Sequence, residues 1–253
     1  MANPHKFYLS HMNAKTGYRA TWDPGRPLQI GQVGKLDGSG IFSVFSTLEK
    51  EGIPVEVLSD ESAGEMDYTS NESVNISVKL AGSAPAAGSV LTDVEAGFSF
   101  EFKSEKAVVF QTSGHKTHQL VNLGEIEKAV LKKFNDGNWE KDWLIVTQLV
   151  VADTATIIIS NSSNGKLELK AKAGAGTANL KLTDASLGLT VAREQGSTLK
   201  YITQNGLTPL YRLMGIRHPL FGKKQLATRS DKEQVDQEKF RLQEFDNGET
   251  EQQ

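Results

Sequence analysis

Val74-Asn75-Ile76-Ser77-Val78-Lys79-Leu80, answered later by Val94-Glu95-Ala96-Gly97-Phe98-Ser99-Phe100-Glu101-Phe102-Lys103, decides the reading of this chain. Apolar residues fall on every second position of both arms, the signature of a β-strand with one apolar and one wet face. The small, polar stretch Gly82-Ser83-Ala84-Pro85-Ala86-Ala87-Gly88 between them predicts the tip of a hairpin. A second hairpin is expected from Gly165 to Ala192. Its outgoing arm carries Leu167, Leu169, Ala171 and Ala173 against Lys166, Glu168, Lys170 and Lys172. Its tip is Gly174-Ala175-Gly176-Thr177, and its return arm carries Leu180 and Leu182, then Leu187, Leu189 and Val191. The apolar phase flips from even to odd positions across Thr183-Asp184-Ala185, which predicts a β-bulge. Arms of roughly 9–11 residues are also long enough to cross a bilayer as tilted strands. A permanent half-buried sheet has the same pattern, so both readings stand at this level.

Moving outward, Leu28 to Val33 and Ile41 to Thr47 read as strands joined by the Gly- and Asp-rich turn Gly34 to Gly40. Ile41 and Phe42 beside that turn are either an apolar tip that dips into lipid or core. Phe7 to Asn13 fits a short helix or a strand. Val55 to Leu58 is a short strand, Asp60 to Asp67 an acidic loop, and Ala107 to Gln111 another strand. Gly124 to Phe134 predicts an amphipathic helix, with Ile126, Val130, Leu131 and Phe134 on one face and Lys128, Lys132 and Lys133 on the other. Trp143 to Ala152 is apolar enough for burial on both faces, and Thr156 to Ser160 reads as a separate strand. Leu199 to Ile216 is a strand broken at Pro209, and His218 to Lys224 a basic turn. From Gln225 the chain is charge-dense and reads as an exposed helix or a disordered tail. The expected class is α+β: a twisted, mainly antiparallel sheet with two long amphipathic hairpins and a few helices.

The chain has 253 residues, 23% charged and 38% hydrophobic, with a formal net charge of -3 and no cysteine. The charge argues against a nucleic-acid binder. The missing cysteine excludes disulfides, thiolate metal sites and a cysteine nucleophile. No secretory leader and no run of ~20 apolar residues is evident, so a cytosolic origin is expected and the sequons at Asn71, Asn75 and Asn161 should be idle. No phosphate-binding glycine loop, nucleophile elbow or carboxylate pair with catalytic placement is present. His115 and His118 lie three apart in an expected polar loop, as surface residues or half of a metal site. No cofactor and no catalytic residue is predicted.

Three stretches together resemble the pore-forming domain of gasdermins. These are Pro27-Leu28-Gln29-Ile30 to Phe45, Asp142-Trp143-Leu144-Ile145-Val146-Thr147-Gln148-Leu149-Val150-Val151-Ala152-Asp153, and the second hairpin with its exit through Gly206-Leu207-Thr208-Pro209-Leu210-Tyr211-Arg212-Leu213. Within that family the chain is most similar to fungal gasdermin-like regulators of cell death that act in non-self recognition. Only about 40 residues follow Leu213, against the large inhibitory domain of mammalian gasdermins, and there is no cysteine for lipidation.

The resemblance implies a pore-forming domain over 1–224 and a charged tail over 225–253. It implies a non-enzymatic protein, cytoplasmic until it assembles on a plasma or other anionic membrane. The implied partners are anionic phospholipid and other copies of this chain or an antagonistic variant of it, as in heterokaryon incompatibility. The first inserting hairpin would present Val74, Ile76, Val78, Leu80, Val94, Phe98, Phe100 and Phe102 to lipid. The second would present Leu167, Leu169, Ala171, Ala173, Leu180, Leu182, Leu187, Leu189 and Val191. Lys79, Glu101, Glu168, Lys170 and Lys172 would face the lumen. Candidate lipid-binding cations are Lys6, Lys15, Arg19, Lys128, Lys132, Lys133, Arg212, Arg217, Lys223 and Lys224, each of which could equally be a solubilising surface charge. The alternative is a non-enzymatic binding module with a permanent antiparallel sheet.

Overall fold

The computed structural model describes residues 4–22, 27–70, 72–175, 178–217 and 241–244. The elements in chain order are α1 (Pro4–Thr16), β1 (Arg19–Ala20), β2 (Gln32–Leu36), β3 (Phe42–Thr47), β4 (Val57–Ser59), β5 (Gly64–Thr69), β6 (Val74–Lys79), β7 (Gly97–Phe102) and β8 (Ala107–Leu120). There follow α2 (Leu123–Asn135), β9 (Leu144–Ser160), β10 (Gly165–Lys170), a 3₁₀ turn (Ala185–Leu187), β11 (Thr190–Gln195), β12 (Thr198–Arg217) and β13 (Arg241–Glu244). The class is α+β with mainly antiparallel pairing, as expected. β9 pairs with both β8 and β12.

The chain divides into two compact units. One comprises Met1–Pro27, Asp60–Thr117 and Val150–Leu210, the other Leu28–Ser59, His118–Leu149 and Tyr211–Gln253.

The first unit is built in three layers, and the alternation of its central strands explains why. Val108, Phe110, Ile157 and Ile159 point to one side, where they bury Tyr8, Leu9 and Met12 of α1. Ala107, Val109 and Ile158 point to the other, where they meet Phe98, Phe100, Leu167 and Leu169. A strand covered on both faces has no wet positions, hence the unbroken apolar runs Ala107–Phe110 and Ile157–Ile159. Helix α1 presents Tyr8, Leu9 and Met12 on one stripe and ends at Gly17 (φ 70°), whose N–H reaches the Asn13 carbonyl at 2.8 Å. That settles the helix-or-strand ambiguity over Phe7 to Asn13.

The second unit has its own core of Val33, Leu48, Ile53, Leu120, Ile126, Val130, Trp139, Ile145 and Ile216. Ile126 and Val130 of α2 are buried there, while Leu131 and Phe134 pack partly against it. β2 and β3 form the expected first hairpin; its turn is held by the Asp37 carboxylate, which accepts the N–H groups of Ser39 and Ile41, each at 2.9 Å.

Several expectations fail, each for a tertiary reason. β2 begins at Gln32, so Leu28 to Gly31 is not strand. Asp60 to Asp67 is not all loop, because Gly64–Thr69 pairs with β8 despite its charges. β8 runs to Leu120, which puts His115 and His118 on a strand: Ser59 Oγ lies 2.6 Å from His118 Nδ1, and Thr112 Oγ1 lies 3.1 Å from His115 Nδ1. Leu144 to Ala152 and Thr156 to Ser160 belong to one strand, β9, which Trp143 precedes. Pro209 does not break β12, and its carbonyl accepts the Thr21 N–H at 2.9 Å. In the tail, Arg241–Glu244 is a strand antiparallel to Met214–Arg217 rather than helix or disorder; the remainder of 225–253 lies outside the described residues.

Candidate functional site

Both predicted hairpins exist, and they join into one four-stranded antiparallel sheet in the order β6-β7-β10-β11. β6 and β7 pair Val74 with Phe102, Ile76 with Phe100 and Val78 with Phe98. β7 and β10 pair Phe100 with Leu167 and Phe98 with Leu169. Residues opposite one another share a face. The apolar face therefore runs across strands as Ile76, Phe100, Leu167, ending on Glu194 at the β11 edge, and as Val78, Phe98, Leu169, Val191. The reverse face carries Asn75, Glu101, Lys166 and Gln195 on one rung and Ser77, Ser99, Glu168 and Arg193 on the next. Lys166 and Glu101 form an ion pair at 3.0 Å there.

Val74, Phe98, Phe100, Phe102, Leu167 and Leu169 are core residues of the first unit. Fully burying one such side chain is worth about 1.5–3 kcal/mol. Val78 (54% exposed), Val191 (42%) and Val94 (82%) are not covered, and Leu80 is also exposed.

The strands are shorter than the alternation predicts. β6 stops at Lys79 and β7 starts at Gly97, leaving Leu80 and Val94 off the ladder. β10 stops at Lys170, and Ala171, Ala173, Leu180 and Leu182 lie in the connection to β11. The phase flip at Thr183-Asp184-Ala185 is not a bulge but the entry to the 3₁₀ turn, where the Asp184 carboxylate accepts the Ser186 N–H at 2.8 Å; the Ser186 side chain, and after it that N–H, hold the Asp184 pKa below the ordinary carboxylate range. The turn lets both Leu182 and Leu187 reach the core. A register shift does occur, farther on, where Glu168 faces Arg193 but Leu169 faces Val191. Gly176 and Thr177 of the tip lie outside the described residues.

The connection between β6 and β7 folds back over the polar face. Leu91 is buried. The Val90 N–H donates to Glu168 Oε2 at 2.8 Å, and Arg193 Nη1 donates to the Gly88 carbonyl at 2.8 Å. Lys79 Nζ donates to the Glu95 carbonyl at 2.6 Å and to the Asp93 carbonyl at 3.3 Å. Lys170 pairs with the Glu95 carboxylate at 3.2 Å. The Thr92 N–H, and after it Lys170, hold the Glu95 pKa below the ordinary carboxylate range. Lys79 (8% exposed) and Glu168 (4%), read from the sequence as wet-face residues, are buried under this connection. The sequence offered one hint of it: Val90 and Leu91 are the two large apolar residues between Leu80 and Val94.

The other connection is tied to β9. Thr156 Oγ1 donates to the Leu182 carbonyl at 2.7 Å, and Thr154 Oγ1 to the Thr183 carbonyl at 2.8 Å. Lys181 pairs with Glu65 at 3.0 Å. A cleft of ≈ 260 Å³ is lined by Ile76, Val78, Phe98, Leu180, Leu182 and Thr183, among others.

The candidate cations of α1 and β1 do not form one patch. Lys6 and Lys15 are exposed on α1, nine positions apart and so on opposite sides of the helix. Arg19 is buried, which removes it from any surface role in this state. Lys128 and Lys132 are exposed one turn apart on α2, whereas Lys133 pairs with Glu51 at 3.3 Å. Arg212 is half-buried, Arg217 ends β12, and Lys223 and Lys224 lie outside the described residues. Ile41 is partly exposed, and Phe42 packs near Tyr211 with ring centroids 6.1 Å apart.

Among the described residues no group of three or more His, Cys, Asp or Glu side chains could hold a metal ion. Nor is any helix among them long and apolar enough to cross a membrane.

No protein-family model matches the chain, and no curated protein matches it. Among solved structures it is similar to a bacterial gasdermin from Bradyrhizobium tropiciagri, at 16% identity over 83% of this chain and 87% of that one, with a TM-score of 0.33. It is also similar to the gasdermin A3 membrane pore, at 8% identity over 86% of this chain and 91% of that one, with a TM-score of 0.35. At these scores neither likeness assigns a family or an activity to this chain.

Proposed function

We propose that this chain is a gasdermin-like pore-forming protein, and that the structure is its stowed state. The observation that carries the reading is the register of the four-stranded sheet, which places the large apolar residues of β6, β7 and β10 on one face and Glu101, Lys166, Glu168 and Arg193 on the other. A sheet of that kind can exchange a protein core for lipid on one face while the other faces water. Backbone groups at its β6 and β11 edges would have to pair with neighbouring subunits, because an open edge is not tolerated in hydrocarbon. The sequence resemblance to gasdermin pore-forming domains supports the same reading.

In this account the protein docks on anionic phospholipid through exposed lysines, with Lys6, Lys15, Lys128 and Lys132 as the accessible candidates. It oligomerises with copies of itself or an antagonistic variant, and permeabilises the membrane to bring about regulated cell death. Pairing with the variant serves as the trigger in non-self recognition, and no catalytic step is required. Val78, Val94, Val191 and the stowed core residues Phe98, Phe100, Leu167 and Leu169 face lipid after insertion.

The test is release of trapped dye from liposomes containing anionic lipid, with this protein alone and with a divergent relative added. Release in either preparation supports the proposal, and release only with the relative supports partner-triggered assembly. Folded protein that leaves the dye trapped in both overturns the proposal in favour of a permanent binding sheet.

A further inference from the structure

The β6–β7 hairpin is shorter than its sequence permits. Leu80 and Val94 continue the apolar phase of their strands, yet β6 ends at Lys79 and β7 begins at Gly97. What interrupts the ladder is the folded-back segment between them. Its Gly88–Glu95 portion is bonded to four side chains of the sheet it covers: Lys79 on β6, Glu168 and Lys170 on β10, and Arg193 on β11. Three of the four belong to the second hairpin, so the segment spans from one hairpin to the other.

We infer that Gly88–Ala96 is a clasp which holds the two hairpins at their stowed length, and that Glu168 is its catch. Glu168 sits in the middle of the rung Ser77, Ser99, Glu168, Arg193. The serines leave its carboxylate unobstructed from the polar side, and the segment closes over it so that only 4% of the residue stays exposed. A buried carboxylate demands a donor, and the Val90 N–H at 2.8 Å supplies one. Lifting the segment exchanges that donor for water and removes the buried charge at the same time. The catch is therefore held by geometry and by the burial of Leu91 beside it, and can open without leaving a charge stranded. Once it opens, the Lys79 ammonium releases the Asp93 and Glu95 carbonyls, and β6 and β7 are free to extend through Leu80 and Val94. This inference rests on the pore-forming reading and names the step that restrains it.

The experiment compares the full chain with Glu168→Ala and Glu168→Gln by hydrogen exchange and by dye release from the same anionic liposomes. Expected for Glu168→Ala is at least tenfold faster exchange across 80–96, unchanged exchange in α2, and dye release several-fold faster than for the unsubstituted chain. Glu168→Gln, which keeps an acceptor of the same shape, should fall between. If Glu168→Ala loses its cooperative melt, Arg193→Ala replaces it, since it deletes only the bond to the Gly88 carbonyl and a 3.4 Å contact with Gln195 at the sheet edge. Unchanged exchange over 80–96 overturns the clasp. Faster exchange with an unchanged leakage rate overturns its role as a restraint while leaving pore formation standing. Leakage by no form of the protein overturns pore formation and the restraint together.

Discussion

Gly97 and Leu169 approach so closely that a Cβ on Gly97 would lie 2.0 Å from the Leu169 carbonyl oxygen. The contact is at the seam between the two hairpins, where β7 begins and β10 runs toward its end. Backbone cannot retreat there as a flexible side chain could. Gly97→Ala is expected to destabilise the protein by about 1–3 kcal/mol through overpacking, read as a lower midpoint in urea unfolding. Gly88→Ala meets no such neighbour, although its φ of 77° makes the substitution strained for a different reason.

Stowed and exposed apolar residues should separate stability from membrane activity. Phe100→Ala is expected to cost about 3–5 kcal/mol, because Phe100 is fully buried. Val94→Asp and Val78→Asp change residues that are already exposed, so stability should shift by less than about 0.5 kcal/mol. Under the proposed function they nonetheless place a charge on the lipid face, and dye release should fall by about tenfold or more, equivalent to ~1.4 kcal/mol in the limiting step. Thermal melts and leakage assays on the same preparations check both halves.

Thr156 anchors the second connection. Its hydroxyl donates to the Leu182 carbonyl and accepts the Thr203 N–H, both within 2.9 Å, in a fully buried position. Thr156→Val keeps the shape and takes the acceptor away from the Thr203 N–H, while the Leu182 carbonyl keeps the Thr203 hydroxyl at 3.1 Å, so the cost is about 1–3 kcal/mol. Hydrogen exchange of the 178–189 segment should accelerate with it, while α1 exchange stays unchanged.

Acid should loosen the first connection. Folding depresses the Glu95 pKa, chiefly through the Thr92 N–H and then Lys170. A depressed carboxylate contributes stability that is complete above its unfolded value of about 4.3 and is lost as pH falls through the lower folded value. Exchange across 80–96, corrected for intrinsic rate, should therefore be flat at neutral pH and rise below about pH 4.3. Glu95→Gln should abolish most of that rise.

Lys128 and Lys132 offer the cleanest test of docking, since both are exposed on α2. Replacing both by Glu should weaken binding to anionic vesicles by about 1 kcal/mol or more per position and leave the melting temperature unchanged. Arg19 is unsuitable for this purpose: it is buried, and its loss would be read through the fold.

Sequence periodicity located most strands because the facing of alternate residues is a local property. It failed where a distant partner set the outcome. Gly64–Thr69 became strand through pairing with β8 in spite of Glu65 and Asp67. β9 runs unbroken through Thr154 because it is paired with β8 and β12. Pro209 stays inside β12, where its carbonyl bonds the distant Thr21 N–H.

By itself the sequence determined which residues of 74–79, 97–102 and 165–170 share a face, that Gly124 to Phe134 is an amphipathic helix, and that the class is α+β and antiparallel. Those follow from the fixed repeat of strand and helix. Only the tertiary structure decided that the two hairpins form one sheet, that their strands end at Lys79, Gly97 and Lys170, and that Glu168 and Lys79 are buried. A strand's end and a charge's burial depend on which polar groups arrive to replace water. Here they arrive from the segment between the strands, by hydrogen bonds spanning 14 to 105 residues of sequence.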